Sequence, residues 1–330
     1  MTKIAPHIIS QAPMMDWSTR HQRVFLRAIT RHALLYTEMV TAPALVFGDA
    51  DRLLQHHPIE YPLALQLGGS DPEQLAKATA IAAQHPYYEI NLNLGCPSDR
   101  VQSGQFGASL MADPGRVHEC LQAMKSASGD IPISAKIRIG IDDQDPDITL
   151  LPFVEKISNL DLNTLTVHAR KAILKGLSPK QNREIPPLQP HRAVDIKRAF
   201  PHLRVVLNGE LKDPAADAHW LQELDGLMYG RAAYHTPWCL AGVDTDFFNT
   251  AARTTTSAEA LRSCYAYINH ELTQGMPLSH FTRHILGLFK DQPGARLYRR
   301  TLTEDAHKPG AGIEVIERAL NHLNLGDNVE

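Results

Sequence analysis

Glu89-Ile90-Asn91-Leu92-Asn93-Leu94-Gly95-Cys96-Pro97 is the stretch from which the fold is read. Apolar Ile90, Leu92 and Leu94 alternate with Asn91 and Asn93, the period-two pattern of a β-strand, and the pattern stops at Gly-Cys-Pro. Two amides therefore share one strand face, and a thiol stands at the turn just past the strand's carboxyl end. Cysteine is most often buried and inert, so position alone leaves Cys96 open between packing and chemistry.

Further strand-like runs are Ile8–Ala12, Leu35–Val40, Leu63–Leu67, Ile133–Ile137, Thr164–Val167, Arg204–Leu207 and Gly226–Tyr229. Segments of helical period lie between them, three opening with Asp-Pro: Asp71-Pro72, Asp113-Pro114 and Asp213-Pro214. Asp is a good N-cap, and Pro suits the first turn because its missing N–H would be unpaired there anyway. After Asp113, the residues Val117, Leu121 and Met124 fall on one helical stripe. Eight strands alternating with helices predict a (β/α)8 TIM barrel over residues 1–245. An open doubly wound sheet is the rival, disfavoured because no strand is followed by the G-x-G-x-x-G fingerprint. Beyond Trp238 the alternation ends. Thr250–Ser257 reads as a linker, and helical patterns at Ala258–Thr273, Ser279–Lys290, Ala295–Thr303 and Ile313–Leu323 predict a smaller all-helical C-terminal domain over residues 250–330.

With 330 residues, 43% of them hydrophobic and 21% charged, the chain has the composition of a large globular core. Cys96, Cys120, Cys239 and Cys264 form no CxxC pair, so neither a metal site nor a redox dithiol is expected, and a secreted disulfide framework is not suited. No apolar run approaches the roughly 18 residues of a membrane span, and the N-terminus lacks a signal-peptide core. A cytoplasmic enzyme with no membrane partner, acting as a monomer, is expected. The net charge of -3 excludes an overall basic coat. Locally, however, nine Lys or Arg stand against two acids from Arg170 to Arg204, and five against one from Arg283 to Arg300. Such clusters are either solvated helix faces or the footprint of a polyanion.

In a barrel, chemistry gathers where strands hand over to loops at their carboxyl ends. The predicted strands place there Pro13, Met14 and Met15; Gln66; Asn93 and Cys96; Lys136 and Arg138; His168 and Arg170; Asn208 and Gly209; and Gly230 with Arg231. Taken singly, Met14 and Met15 read first as core filler, and His168 as a satisfied core residue. Lys136 is different, because an amine inside an apolar strand is too costly to bury unpaired and calls for an anionic partner. Strands 7 and 8 end where barrels commonly hold phosphate through backbone N–H groups. Together these groups describe a site for a phosphate-bearing, electron-poor cofactor. A lysine beside an aromatic heterocycle stabilises negative charge on it, as a reduced flavin needs. Gln66 and Asn93 suit a pyrimidine-like edge. An ordinary thiol, mostly protonated at neutral pH, can donate a proton. Ser98–Ser109, with Gly104 and Gly107 and no periodicity, reads as a mobile loop able to carry Cys96 over a substrate.

At this point the chain resembles a family. Ala12-Pro-Met-Met-Asp-Trp17, Leu65-Gln-Leu-Gly-Gly69, Asn91-Leu-Asn-Leu-Gly-Cys-Pro-Ser98, Lys136-Ile-Arg-Ile-Gly-Ile-Asp142, Val167-His-Ala-Arg170 and Leu207-Asn-Gly209 are together similar to the tRNA-dihydrouridine synthases, over nearly the whole chain. Gly176–Pro187 resembles the A type, which acts on uridines 20 and 20a of the D-loop. The resemblance implies FMN at the top of the barrel, lined by Pro13, Met14 and Met15 and contacted by Gln66, Lys136 and His168. Asn208, Gly209, Glu210, Gly230 and Arg231 would hold its ribityl and phosphate end. It further implies NADPH as reductant, hydride delivery from flavin N5 to C6 of uracil, Cys96 as proton donor to C5, and tRNA contacts from Asn93, Lys180, Arg183, Arg296 and Arg299. Two positions depart from the pattern. Glu210 stands where the family usually has a second Gly, and its carboxylate would repel a phosphate unless it turns away. Ser18-Thr19 stands where a Thr-Asp pair is more usual. The alternative is an FMN-dependent barrel reductase of a free pyrimidine or another small enone-like substrate, which leaves the basic clusters unexplained.

Overall fold

The computed structural model describes residues 5–98 and 106–323. Eight parallel strands form the barrel: β1 (Ile9–Gln11), β2 (Leu35–Thr41), β3 (Leu63–Gly68), β4 (Glu89–Leu94), β5 (Ile133–Arg138), β6 (Leu165–His168), β7 (Val205–Asn208) and β8 (Gly226–Tyr229). They are hydrogen-bonded in the order β1-β8-β7-β6-β5-β4-β3-β2. Closure falls between β1 and β2, where Leu34 donates to the carbonyl of Ile9 (3.0 Å) and receives the N–H of Gln11 (2.9 Å). Because β1 is only three residues long, a side chain extends the seam: Gln11 Oε1 accepts the Tyr36 N–H at 3.2 Å.

The alternation seen in the sequence decides which way each side chain faces. Ile90, Leu92 and Leu94 of β4, with Ile133, Ala135 and Ile137 of β5, join the large core between sheet and helices. Inside the barrel instead, Asn91 bonds Ser134 and Gln66, Gln66 bonds Asn93, and Lys136 bonds Asn208. A smaller apolar cluster of Ala12, Leu34, Tyr36, Ala64, Val206 and Met228 shares that interior. It is therefore unusually polar for a barrel, whose interior is normally packed with branched apolar residues. The three Asp-Pro helix starts are caps as expected: Asp71, Asp113 and Asp213 accept the N–H of Gln74, Arg116 and Ala215 at 2.8, 3.0 and 3.0 Å. Asp145-Pro146, unremarked in the sequence, is a fourth, with Asp145 accepting from Asp147 at 3.0 Å.

Helix Arg20–Ile29 joins the barrel to the C-terminal helices and is buried on almost every face. Thr19 caps it and also bonds His284 Nε2 at 2.8 Å; Ser18 closes the preceding turn on Met14. Across the junction Arg20 forks onto Glu271, His21 Nδ1 meets the Tyr267 hydroxyl at 2.8 Å, and Phe25 packs edge-on against Phe281. Burial lowers the pKa of His21 to about 4 and of His284 to about 3, so both are neutral at pH 7.

Two C-terminal helices differ from expectation. Ala258–Thr273 is divided at Cys264, whose N–H turns back to Leu261 at 3.1 Å, giving Ser257–Ser263 and Tyr265–Thr273. Of Ser279–Lys290, only Ser279–Thr282 is α-helical. The remainder winds as tighter turns, and the Ile285 carbonyl accepts both the Leu288 N–H (3.0 Å) and the buried Tyr298 hydroxyl (3.2 Å). Among the described residues no helix is long and apolar enough to cross a membrane.

Candidate active site

The carboxyl end of β4 turns on its own side chain. Asn93 Oδ1 accepts the N–H groups of Gly95 (3.2 Å) and Cys96 (3.0 Å), and its Nδ2 donates to Gln66 Oε1 on β3 (2.8 Å). This side-chain turn sets where Cys96 leaves the strand. Cys96 is half-buried, its thiol 3.5 Å from Ser98 Oγ, and its carbonyl is held by the Ala108 N–H at 3.0 Å. The predicted mobile loop Ser98–Ser109 runs through residues 99–105, which lie outside the described residues; Gly107–Ala112 is a 3-10 turn.

Register places Lys136 opposite Asn93, and Arg138 opposite His168, which in turn faces Asn208. Lys136 is buried and donates to Asn208 Oδ1 at 2.8 Å; Asn208 Nδ2 is anchored on the Met228 carbonyl at 2.9 Å. Among the described residues no carboxylate pairs with Lys136. Burial, reinforced by the neighbouring Arg138 charge, lowers its pKa to about 7, while Cys96 acts in the opposite direction. Arg138 is committed to three carbonyls, of Gly95, Lys171 and Asn182, and burial lowers its pKa to about 10. Burial likewise holds the His168 pKa well below its ordinary value, and Arg138, Lys136, Arg170 and Arg183 act in the same direction. His168 is therefore a neutral imidazole among cations.

Glu210 does not stand alone in this field. Its carboxylate lies 2.6 Å from Arg170 and 3.7 Å from Arg231, which also meets Glu184 at 3.0 Å. Arg170 itself is buried and holds the Pro186 carbonyl. The charge in doubt from the sequence is thus met by Arg170. Gly209 adopts a φ of +129° beside His168, a conformation L side chains rarely take. Gly230 packs close to the rim: a Cβ there would touch both Ala12 Cβ and Met14 Sδ at 3.8 Å. Pro13 and Met14 are half-buried at this rim, whereas Met15 is 56% exposed.

The two basic clusters occupy different places. Lys180 is exposed and Arg183 half-buried in the segment after β6, where burial and Arg231 lower the Arg183 pKa. Arg296 and Arg299 are exposed on helix Ala295–Asp305 and line a groove of about 820 Å³ with Lys290 and, from the barrel, His235. Among the described residues neither forms an ion pair, unlike Arg300, which is spent on Glu304.

The description of the dihydrouridine synthase (Dus) family fits residues 10–324 of this sequence. The chain belongs to the dihydrouridine synthase family. Among curated relatives it is 51% identical over 322 residues to the tRNA-dihydrouridine(20/20a) synthase of Vibrio parahaemolyticus, covering 97% of this chain and 98% of that one. It is 49% identical to the Pasteurella multocida protein of the same name (98% and 99% covered), and 50% to that of Escherichia coli O6:H1 (94% and 94%). Among solved structures, an old yellow enzyme homologue from Zymomonas mobilis superposes with a TM-score of 0.53 at 14% identity, over 77% of this chain and 91% of that one. TcOYE with pHBA gives 0.55 at 11% identity, over 86% and 95%. These two likenesses concern the barrel fold alone.

Within this synthase-family barrel, the structure brings Gln66, Asn93, Cys96, Lys136, His168, Asn208 and Gly209 onto one rim, with Glu210 and Arg231 joined through ion pairs. The sequence reading overlooked how Arg138 and Arg170 serve it: both cations are buried and tie loops to the rim. It also passed over the buried acid Glu89 and its partners His7, Tyr36 and Asn163. The one signal for Glu89 was polar residues recurring at every second position of β4 and β5.

Proposed function

We propose that this chain is an FMN-dependent, NADPH-driven enzyme that reduces the C5=C6 bond of uridines 20 and 20a in the tRNA D-loop, yielding 5,6-dihydrouridine. The observation that carries the reading is the placing of Cys96 beside Lys136 at one barrel rim, in a chain half identical to synthases of that name.

The residues present suit a flavin mononucleotide. Among the described residues the buried Lys136 amine has one neutral partner, so an electron-rich ring edge would supply a further acceptor and favour its charge. Gln66 retains a second Nε2 hydrogen after serving Asn91. Neutral His168 offers a donor without adding charge. The backbones of Gly209 and Gly230, with Arg231, suit the ribityl and phosphate end, and Pro13, Met14 and Met15 the ring face. When bound and reduced, FMN supplies the hydride for C6 of uracil. Cys96 then gives its proton to C5 from the opposite face. The target uridine must leave its stack to reach this rim. Asn93, Lys180, Arg183, Arg296 and Arg299 are the proposed tRNA contacts, and the groove beside Arg296 and Arg299 would hold phosphates chiefly by charge and shape.

The test is nucleoside analysis of undermodified tRNA after incubation with the protein and NADPH, with positions mapped. Cys96→Ala is expected to keep its flavin and its NADPH oxidation while dihydrouridine formation falls by about 100-fold or more. A wild-type yield from that variant refutes the proton-donor role; reduction of free uracil in place of tRNA refutes the substrate.

A further inference from the structure

A chain of hydrogen bonds crosses the barrel interior from floor to rim, and it runs in one direction only. At the floor, Glu89 is fully buried and receives four donors: Tyr36 OH (2.5 Å) and Ser134 Oγ (2.7 Å) on Oε1, His7 Nε2 (2.7 Å) and Asn163 Nδ2 (3.0 Å) on Oε2. Burial alone would raise its pKa, but the His7 charge and the bonds from His7, Tyr36 and Ser134 outweigh burial and leave it below the usual value. The group is a carboxylate, and a carboxylate only accepts.

Everything above follows from that. Ser134 has one hydroxyl hydrogen and spends it on Glu89, so toward Asn91 it can only accept, and Asn91 Nδ2 donates to it at 2.9 Å. The Asn91 carbonyl oxygen then faces β3 and accepts Gln66 Nε2 at 2.8 Å. Gln66 Oε1 in turn faces Asn93 Nδ2, which leaves Asn93 Oδ1 for the N–H groups of Gly95 and Cys96. The two orientations of an amide have almost the same shape, so packing selects weakly between them and hydrogen-bond polarity decides. Reversing the chain would set an NH2 group against the Cys96 N–H.

We propose that Glu89 is a positioning residue whose charge fixes, through Ser134, Asn91 and Gln66, the direction of the Asn93 amide and thereby the turn that carries Cys96. It acts from the floor of the barrel, four residues of β4, or roughly 13 Å, from Asn93. Its consequence for proton transfer rests on the function proposed above, whereas its test does not.

The test is residue-resolved amide hydrogen exchange on the flavin-free full chain, comparing wild type with Ser134→Ala, Ser134→Thr and Glu89→Gln. Ser134→Ala cuts the chain, and Glu89→Gln weakens its polarity, because an amide can turn an NH2 group toward Ser134 where a carboxylate can only accept. Both are expected to speed exchange at Gly95 and Cys96 by about tenfold, with helix Pro114–Ala127 unchanged, and Ser134→Thr, which restores the hydroxyl, to return wild-type protection. Faster exchange confined to residues 89–91, with Gly95 and Cys96 at their wild-type rates, overturns the proposal. So does general acceleration in Ser134→Ala that Ser134→Thr fails to reverse. If Glu89→Gln does not fold, the Ala and Thr pair at Ser134 decides alone. Because no flavin, NADPH or tRNA enters the measurement, the relay can stand while the catalytic reading falls, or the reverse.

Discussion

Two charged side chains are buried in the same barrel, and they are treated in opposite ways. Glu89, at the floor, is surrounded by four donors, the His7 ring among them, and its ionised form is favoured despite full burial. Lys136, near the rim, has one neutral acceptor among the described residues, and its ionised form is disfavoured, with a pKa of about 7. Burying a charge is costly unless it is paired and hydrogen-bonded. The floor meets that requirement from within the chain. Among the described residues the rim leaves it unmet, so a lysine-free variant is expected to be the more stable there. A site that carries such a cost is a place where a ligand is expected to complete the pairing. The difference separates a charge that serves the fold from one that serves chemistry.

Glu89→Leu breaks the comparison at its satisfied end. It leaves His7, Tyr36, Ser134 and Asn163 facing an apolar group in the interior. Removing one partner of a buried pair typically costs about 3–5 kcal/mol, so a matching loss in urea unfolding free energy is expected. A loss under about 1 kcal/mol would mean that water or rearranged side chains satisfy those four groups as well as the carboxylate does.

Lys136→Met tests the other end, and the sign reverses. Replacing an incompletely paired amine with an apolar chain of similar length is expected to stabilise the flavin-free protein by about 1–3 kcal/mol. The same substitution should weaken FMN binding and abolish dihydrouridine formation. Thermal melts and a flavin titration on one preparation check both. If the variant is destabilised while FMN still binds normally, Lys136 belongs with Glu89 as a structural charge, and the contrast fails.

Much of this barrel was legible in the sequence, and the reason lies in its pleat. The alternation of Ile90, Leu92 and Leu94 with Asn91 and Asn93 has only one physical use in a strand packed between helices and a barrel interior. From it followed the strand, its facing and the rim position of Cys96. The Asp-Pro starts were equally legible, because capping is local. The sequence did not reveal how Arg170 neutralises Glu210, since forty residues separate the two and only the β6–β7 register joins them. Nor did it reveal that Ser134 and Asn91 form a relay, because hydrogen-bond direction depends on Glu89, whose ionisation is a property of the folded interior. The helix expected over Ser279–Lys290 failed for a similar reason. Its apolar spacing is helical, but beyond Thr282 the N–H groups of Ile285, Leu288 and Lys290 reach back only three residues, and the Ile285 carbonyl is shared between Leu288 and the distant Tyr298 hydroxyl.

The smallest expected effect per step is in pH, and it bears on the rim alone. A lysine with a pKa of about 7 in the fold and the ordinary 10.5 in the unfolded chain binds its proton more readily when unfolded between those values. Stability therefore rises with pH from about 7 toward 10.5, by no more than about 1.4 kcal/mol per pH unit, and the cost is fully present below pH 7. Other groups also titrate across this range, so the quantity to measure is wild type minus Lys136→Met in urea midpoint at pH 7, 8 and 9. The junction histidines do not disturb it: with pKa values of about 4 and 3 in the fold, His21 and His284 lose stability only as pH falls below about 6.5. The difference should shrink as pH rises in the flavin-free protein. With FMN bound, the lysine gains its electron-rich partner, its pKa returns upward, and the slope should flatten. A slope that FMN leaves unchanged would place the flavin away from Lys136 and detach the unsatisfied charge from the chemistry proposed for this rim.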